Sequence, residues 1–290
     1  KASTSRDSRR SPPPRTFGRS LAVVAIALSL ASETRAADVV LNVGDAINTS
    51  SFDAAGNWSN AAAPSAGNTY RNNGLLLRTP NALAGNATFG GDSLTITGPG
   101  LVNAVANDAL LWKGAGTASV ITVNNLIING GQLRHAQGSA DSFTLAGNLA
   151  IGANGANMGV QGGMNVASVI SGSSTIRILP NGNGEVARTV TFSNPANTYT
   201  GNLELINATQ SRWTLADDAN FKFVVGASGV NNRIFGPGVV TVNGDFQIDL
   251  TGASSSPTAS WNLVSGATTT YGESFNIPGF TPFATTTHLW

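Results

Sequence analysis

The sequence predicts an all-β chain, built as a parallel β-helix (a β-solenoid), on three observations. Glycine makes up 33 of the 254 residues after position 36, about 13% against a usual level near 7%. From residue 37 onward there are only two lysines and three glutamates, the residues that fill exposed helix faces. A strand, a glycine turn and another strand recur along the chain, as in GDSLTITGPGLV from Gly91, NNLIINGGQLRH from Asn124 and GPGVVTVNGDFQIDL from Gly236.

The first 36 residues read as an address. Arg9, Arg10, Arg15 and Arg19 stand among Ser and Pro, ahead of an uncharged run from Leu21 to Ala31. That order is a signal peptide, with small residues allowing cleavage after Ala36 or Ala31. The run has 11 residues, short of the roughly 20 that a helix needs to cross a bilayer. Arg9-Arg10 also suggests twin-arginine export, although the prolines after it do not continue that pattern. Seven of the 16 basic residues and two of the 15 acidic ones lie in this segment, which leaves nine against 13. The remainder is therefore slightly acidic and offers no basic stripe for nucleic acid. Without cysteine there is no disulfide framework to supply stability.

After Ala37 come the strands. Ser93–Thr97, Ser119–Val123, Leu126–Ile128, Phe143–Leu145, Asn148–Ile151, Ser174–Ile178, Thr189–Phe192, Asn202–Ile206, Val239–Val242 and Asp245–Leu250 mostly alternate apolar residues with Thr, Ser, Asn or a charge. Alternation gives each strand one buried and one wet face. The apolar pairs Leu94/Ile96, Leu126/Ile128, Leu149/Ile151, Ile176/Ile178, Leu203/Leu205 and Phe246/Ile248 step by 32, 23, 27, 27 and 43 residues. Apart from the last, those steps suit one coil each of a solenoid with variable loops. An antiparallel β-sandwich is the alternative, but ten or more strands exceed what one sandwich needs. The expected layout is a signal peptide over 1–36, an N-terminal cap region over 37–80, solenoid repeats over 81–250 and a C-terminal cap region over 251–290, cut short at Trp290. Phe52, Trp58 and Tyr70 in the first cap region, and Trp261, Phe275, Phe280, Phe283 and Trp290 in the second, suit closure of an open apolar column.

Several stretches have a familiar wording. NWSNAAAPSAGNTY from Asn57, NNLIINGGQL from Asn124 and VTFSNPANTYTGNLELINATQ from Val190 resemble the autotransporter-associated β-strand repeat. Its Asn-x-Tyr-x-Gly core is matched by Asn197, Tyr199 and Gly201. The segment from Phe246 to Phe280 resembles the region C-terminal to such repeats in large exported bacterial proteins, often ahead of a PEP-CTERM sorting signal. The resemblance implies a right-handed parallel β-helix on a secreted or cell-surface protein and brings no shared catalytic residues. In such a coil Gly201 makes a turn that a β-carbon would strain, and Tyr199 packs beside a corner.

Chemistry is sparse. His135 and His288 lie far apart and His135 reads as a solvated loop residue, so no metal or cofactor is expected. No G-x-S-x-G elbow is present. Asp245, Gln247 and Asp249 share one strand face, but carboxylates four residues apart on a strand stand about 13 Å from each other, beyond the spacing that glycosidases use. Asp217-Asp218 reads as a turn, Gly90-Gly91-Asp92 as turn chemistry rather than a calcium loop, and the Asn-x-Ser/Thr triplets at Asn48, Asn57, Asn86 and Asn207 as chance. Trp112, Tyr199 and Trp213 are the large aromatics that could serve as sugar platforms or as packing. The expected function is a structural or adhesive passenger touching extracellular polysaccharide or cell-surface components, without enzymatic activity and meeting a membrane only through export or an anchor. The rival is a polysaccharide lyase or hydrolase on the same scaffold, with Arg134, Arg177, Arg188, Arg212 and Arg233 as candidate bases.

Overall fold

A computed structural model describes residues 36–81, 85–113, 118–135, 142–180 and 189–279, together with Ala2. The rest of the expected export segment and the aromatic tail 280–290 lie outside the described residues. Those described contain strands and no helix. Every strand ladder is parallel, and antiparallel contact is confined to isolated bridges such as Leu41 with Trp58. Parallel neighbours need a crossover between them, which excludes the hairpin-built sandwich.

Each coil meets three ladders in turn. In the middle of the chain, 119–123 lies on the first ladder, 126–129 on the second and Gln132–His135 on the third. The chain then returns to the first ladder at 142–147. Ser119–Asn129 and Ser142–Ile151 run straight through the first two ladders, merging them into one wide twelve-stranded sheet with a register shift between Val123 and Asn125. The third ladder forms a separate sheet of eight strands, from Leu77–Arg78 through Ala156–Val160 to Val264–Ser265. Eight passages along one ladder make about seven turns. Segment 37–80 takes part: Ala37–Val40 and Asn68–Arg71 join the wide sheet, and Leu77–Arg78 opens the narrow one.

Period-2 alternation decides what lies inside. Ser93–Thr97 alternates half-buried polar residues with fully buried Leu94 and Ile96. In-register stacking then places like on like. Leu94, Leu126, Leu149 and Ile170 are successive partners on the second ladder. On the third ladder Leu110, Leu133, Met158, Ile178 and Leu205 do the same. All nine side chains are at most 1% exposed. At about 1.5–3 kcal/mol for each large buried side chain, this column is the main source of stability in a chain without disulfides. Near the N-terminal end Phe52, Trp58, Tyr70 and Phe89 meet edge to face, with centroids 5.0–6.4 Å apart. Near the other, Phe246, Tyr271 and Phe275 form a second cluster.

The coil register differs from the sequence expectation at two steps. Leu94 to Leu126 to Leu149 is correct, and so is Ile176 to Leu203, but the first three belong to the wide sheet and the last two to the narrow one. Leu149 is succeeded on its own ladder by Ile170, and Leu203 by Ile234. Phe246 pairs with Phe221 in a two-stranded sheet formed by Asn220–Val224 and Asp245–Asp249. An apolar-polar-apolar run reads alike on every ladder, so spacing alone cannot tell one ladder from another.

Candidate functional site

The residues of the Asn-x-Tyr-x-Gly core come together at a buried corner. Segment 197–200 continues the second ladder, with Thr198 N–H donating to Ile170 O and Thr200 N–H to Gly172 O, both at 2.9 Å. Asn197 ties its coil to both neighbours: its Oδ1 accepts from Ile170 N–H (2.9 Å) and its Nδ2 donates to Asn220 O (3.4 Å). The Tyr199 hydroxyl accepts from Ile176 N–H (3.0 Å) and offers its proton to Asn202 O (2.6 Å) and Ser174 O (2.8 Å). Burial pushes this phenol well above its usual range, so it stays protonated. A β-carbon on Gly201 would collide with Ser174 O and the Tyr199 hydroxyl. Gly201 does not have a left-handed backbone, so close approach rather than conformational freedom demands glycine here. The motif's side chains are turned to backbone groups of this chain, which is the work of a corner.

The outer face of the first ladder carries a row of short polar residues. Thr144, Asn165, Thr191, Thr214, Thr241 and Thr270 are successive register partners, one per coil. Strands in a sheet stand 4.7–4.9 Å apart, so the row extends for about 24 Å. Its five threonine hydroxyls make no side-chain hydrogen bond to any described residue. Beside it run Thr189, Arg212, Val239 and Thr268, with Arg212 the one charge among them. The Oδ1 of Asn165 and the Nε of Arg212 are buried without a hydrogen-bond partner.

The narrow sheet differs. Segment 98–108, between Ser93–Thr97 and Ala109–Trp112, folds back over its outer face as a strap. Asn157 holds the outward limb, donating to Gly100 O (2.9 Å) and accepting from Val102 N–H (3.1 Å). At the tip, Asn103 Oδ1 accepts from Arg177 (2.9 Å), which also pairs with Glu204 (2.7 Å). Gln132 accepts from Ala106 N–H (3.2 Å), and Arg134 donates to Ala106 O (2.6 Å), holding the returning limb. The strap ends at Asp108, whose Oδ2 is buried without a partner, as is the Nε of Arg134. Burial raises the Asp108 carboxyl above its usual range and lowers the Arg134 guanidinium, and their mutual attraction only partly offsets both shifts. Sequence reading takes Gly98-Pro99-Gly100 for a simple turn and gives Asp108 no role. No local pattern marks a segment that crosses to coils far along the chain.

Other singled-out residues fall elsewhere. His135 is a correction: it is fully buried in Gln132–His135, against Trp112 with centroids 4.6 Å apart. Its parity with Leu133 turns it inward. Trp112, Tyr199 and Trp213 are at most 2% exposed and serve as packing. Asp217 and Asp218 form an exposed turn. On the outer face of Asp245–Asp249, Asp249 pairs with Lys222 (2.9 Å). Hydrogen bonds from Thr251 and Lys222 hold its carboxyl well below the usual range. Asp92 Oδ1 accepts from Gly67 N–H (3.0 Å), a turn contact. Among the described residues no three metal-ligating side chains gather. A cleft of about 220 Å³ opens beside Arg78, Lys113 and Ser50. Comparison with protein-family models, with curated proteins and with solved structures returns no match to the chain.

Proposed function

We propose that this solenoid is an exported structural or adhesive passenger that contacts extracellular polysaccharide along the threonine row of its wide sheet. The observation that carries the reading is the row itself: hydroxyls without protein partners among the described residues, repeated in register once per coil on a rigid ladder. A hydroxyl that donates and accepts suits sugar hydroxyls, and weak contacts at fixed spacing add up along a polymer that can meet several at once. The near absence of charge favours neutral chains over acidic ones. The basic, proline-rich opening and the apolar run after it support export.

The test is retention of the protein on a panel of insoluble and gel-immobilised neutral and acidic polysaccharides, with release of reducing or unsaturated ends measured in the same samples. Retention should fall at least about tenfold when Thr191, Thr214 and Thr241 are changed together to Val, which keeps shape and strand preference while removing three hydroxyls. Equal retention of the triple variant would remove the row from the contact. Product release abolished by a single Asp or Arg substitution would replace this reading with a polysaccharide-cleaving enzyme.

A further inference from the structure

The N-terminal end of the narrow sheet holds a cation that opens onto a cleft and has no anion among the described residues. Leu77–Arg78 is a two-residue strand: Leu77 enters the core, and Arg78 takes the outward side in register with Leu111. Arg78 is nevertheless only 8% exposed. Its backbone is fully engaged, the N–H donating to Asp45 Oδ2 (2.9 Å) and the carbonyl accepting from Ser50 Oγ (2.8 Å). Its guanidinium makes no hydrogen bond to, and no ion pair with, any described residue. None of its side-chain nitrogens is fully buried, so the unpartnered guanidinium reaches solvent through the cleft that it lines.

The nearest carboxylate in this network is already committed. Asp45 accepts from the N–H groups of Ser51 and Arg78 on one oxygen, and from Ser51 Oγ (2.6 Å) and Asn57 Nδ2 (3.5 Å) on the other. Arg78 lies instead on the wall of the 220 Å³ cleft, which Asn48, Thr49, Ser50, Thr79 and Lys113 also line and to which no carboxylate of a described residue contributes. The protons of Thr49, Ser50 and Thr79 are directed to the carbonyls of Ala46, Arg78 and Pro80. Among the described residues that line the cleft, the two charged side chains, Arg78 and Lys113, are both positive.

We propose that this cleft is an oxyanion site, taking the carboxylate of a small acidic sugar or an equivalent sulfate, with Arg78 as the principal ligand and Lys113 as the second positive charge. A planar guanidinium matches a carboxylate or a sulfate edge with two parallel hydrogen bonds. The volume is below the range of drug-sized pockets, which fits one charged group with a single ring rather than a polymer segment. The site is independent of the threonine row: it lies on the other sheet and selects for charge, where the row selects against it.

The experiment is calorimetric titration of the full chain with sodium glucuronate, with glucose as the neutral match and sodium sulfate as the bare oxyanion, at constant ionic strength. Glucuronate or sulfate should bind saturably, glucose should not, and affinity should drop as salt rises. Tighter glucuronate identifies a sugar acid, and equal sulfate a general oxyanion site; either supports the proposal. Arg78→Gln should weaken binding at least about tenfold without lowering the melting temperature of the unliganded protein, because the guanidinium it replaces makes no bond to any described residue. Lys113→Gln, at a half-buried position, should weaken it about threefold and keeps the test open if the first variant fails to fold. No saturable binding of either anion at tens of millimolar, or wild-type affinity in both variants, would overturn the assignment.

Discussion

The two sheets bury the same apolar column and treat their outer faces in opposite ways. On the wide sheet the row from Thr144 to Thr270 is uncharged, and its hydroxyls have no side-chain partner among the described residues. On the narrow sheet the corresponding positions hold Gln132, Arg134, Asn157, Arg177 and Glu204, and a strap covers much of them. The difference is one of commitment. Long polar side chains can reach across coils to satisfy a loop's backbone, so that face is used up internally. The hydroxyls of the row bond to no neighbouring coil among the described residues, so their bonding capacity stays directed outward.

Substitutions can break this comparison, and the largest effect should come from neither face but from the corner that joins them. Gly201→Val drives a side chain into Ser174 O and the Tyr199 hydroxyl and should cost about 3 kcal/mol, the upper end for overpacking. Denaturant unfolding measures it, and an unchanged midpoint would contradict the close approach. Next comes Asn157→Ala on the roofed face, which removes bonds to Gly100 O, Gly131 O and Val102 N–H. The two bonds to the strap, at about 1 kcal/mol each, set the loss at about 2 kcal/mol. Limited proteolysis should then cut first within 98–108.

Asp108→Asn should act through pH. A carboxyl whose folded pKa is raised stabilises the fold most below its ordinary value, and that contribution is lost as pH rises through the folded pKa. The variant should therefore gain on the wild type between about pH 4 and neutrality, with the gap closing in acid. Comparing the two proteins at each pH cancels the opposite behaviour of Asp249, whose lowered pKa makes its own contribution fade on acidification. A gap that stays constant with pH would mean that burial does not raise the Asp108 carboxyl. The smallest effect belongs to the bare face: Thr214→Val should change stability by less than about 0.5 kcal/mol. A loss as large as that of Asn157→Ala would show that the row is structural after all.

Inward and outward assignment is legible residue by residue. Ser93–Thr97, Thr189–Phe192 and Val239–Val242 bury the side chains that their alternation marks, because neighbouring side chains on a strand point to opposite faces whatever lies beyond. The resemblance to a repeat family points to Tyr199 and Gly201, and specific bonds explain why that corner needs them. His135 misleads because Gly130-Gly131 nearby suggests a loop, whereas alternation with Leu133 turns the ring into the core.

The all-β character and the polar exterior are thus determined by the sequence itself, since glycine turns, scarce lysine and glutamate, and period-2 alternation are local properties that survive any choice of register. Only the tertiary structure decides which ladder each strand joins, that 98–108 reaches the coil of Arg177, and that Arg78 faces a cleft instead of a carboxylate. Those outcomes depend on how loop lengths sum along the coils and bring residues dozens of positions apart to the same face. No short stretch of sequence contains that sum.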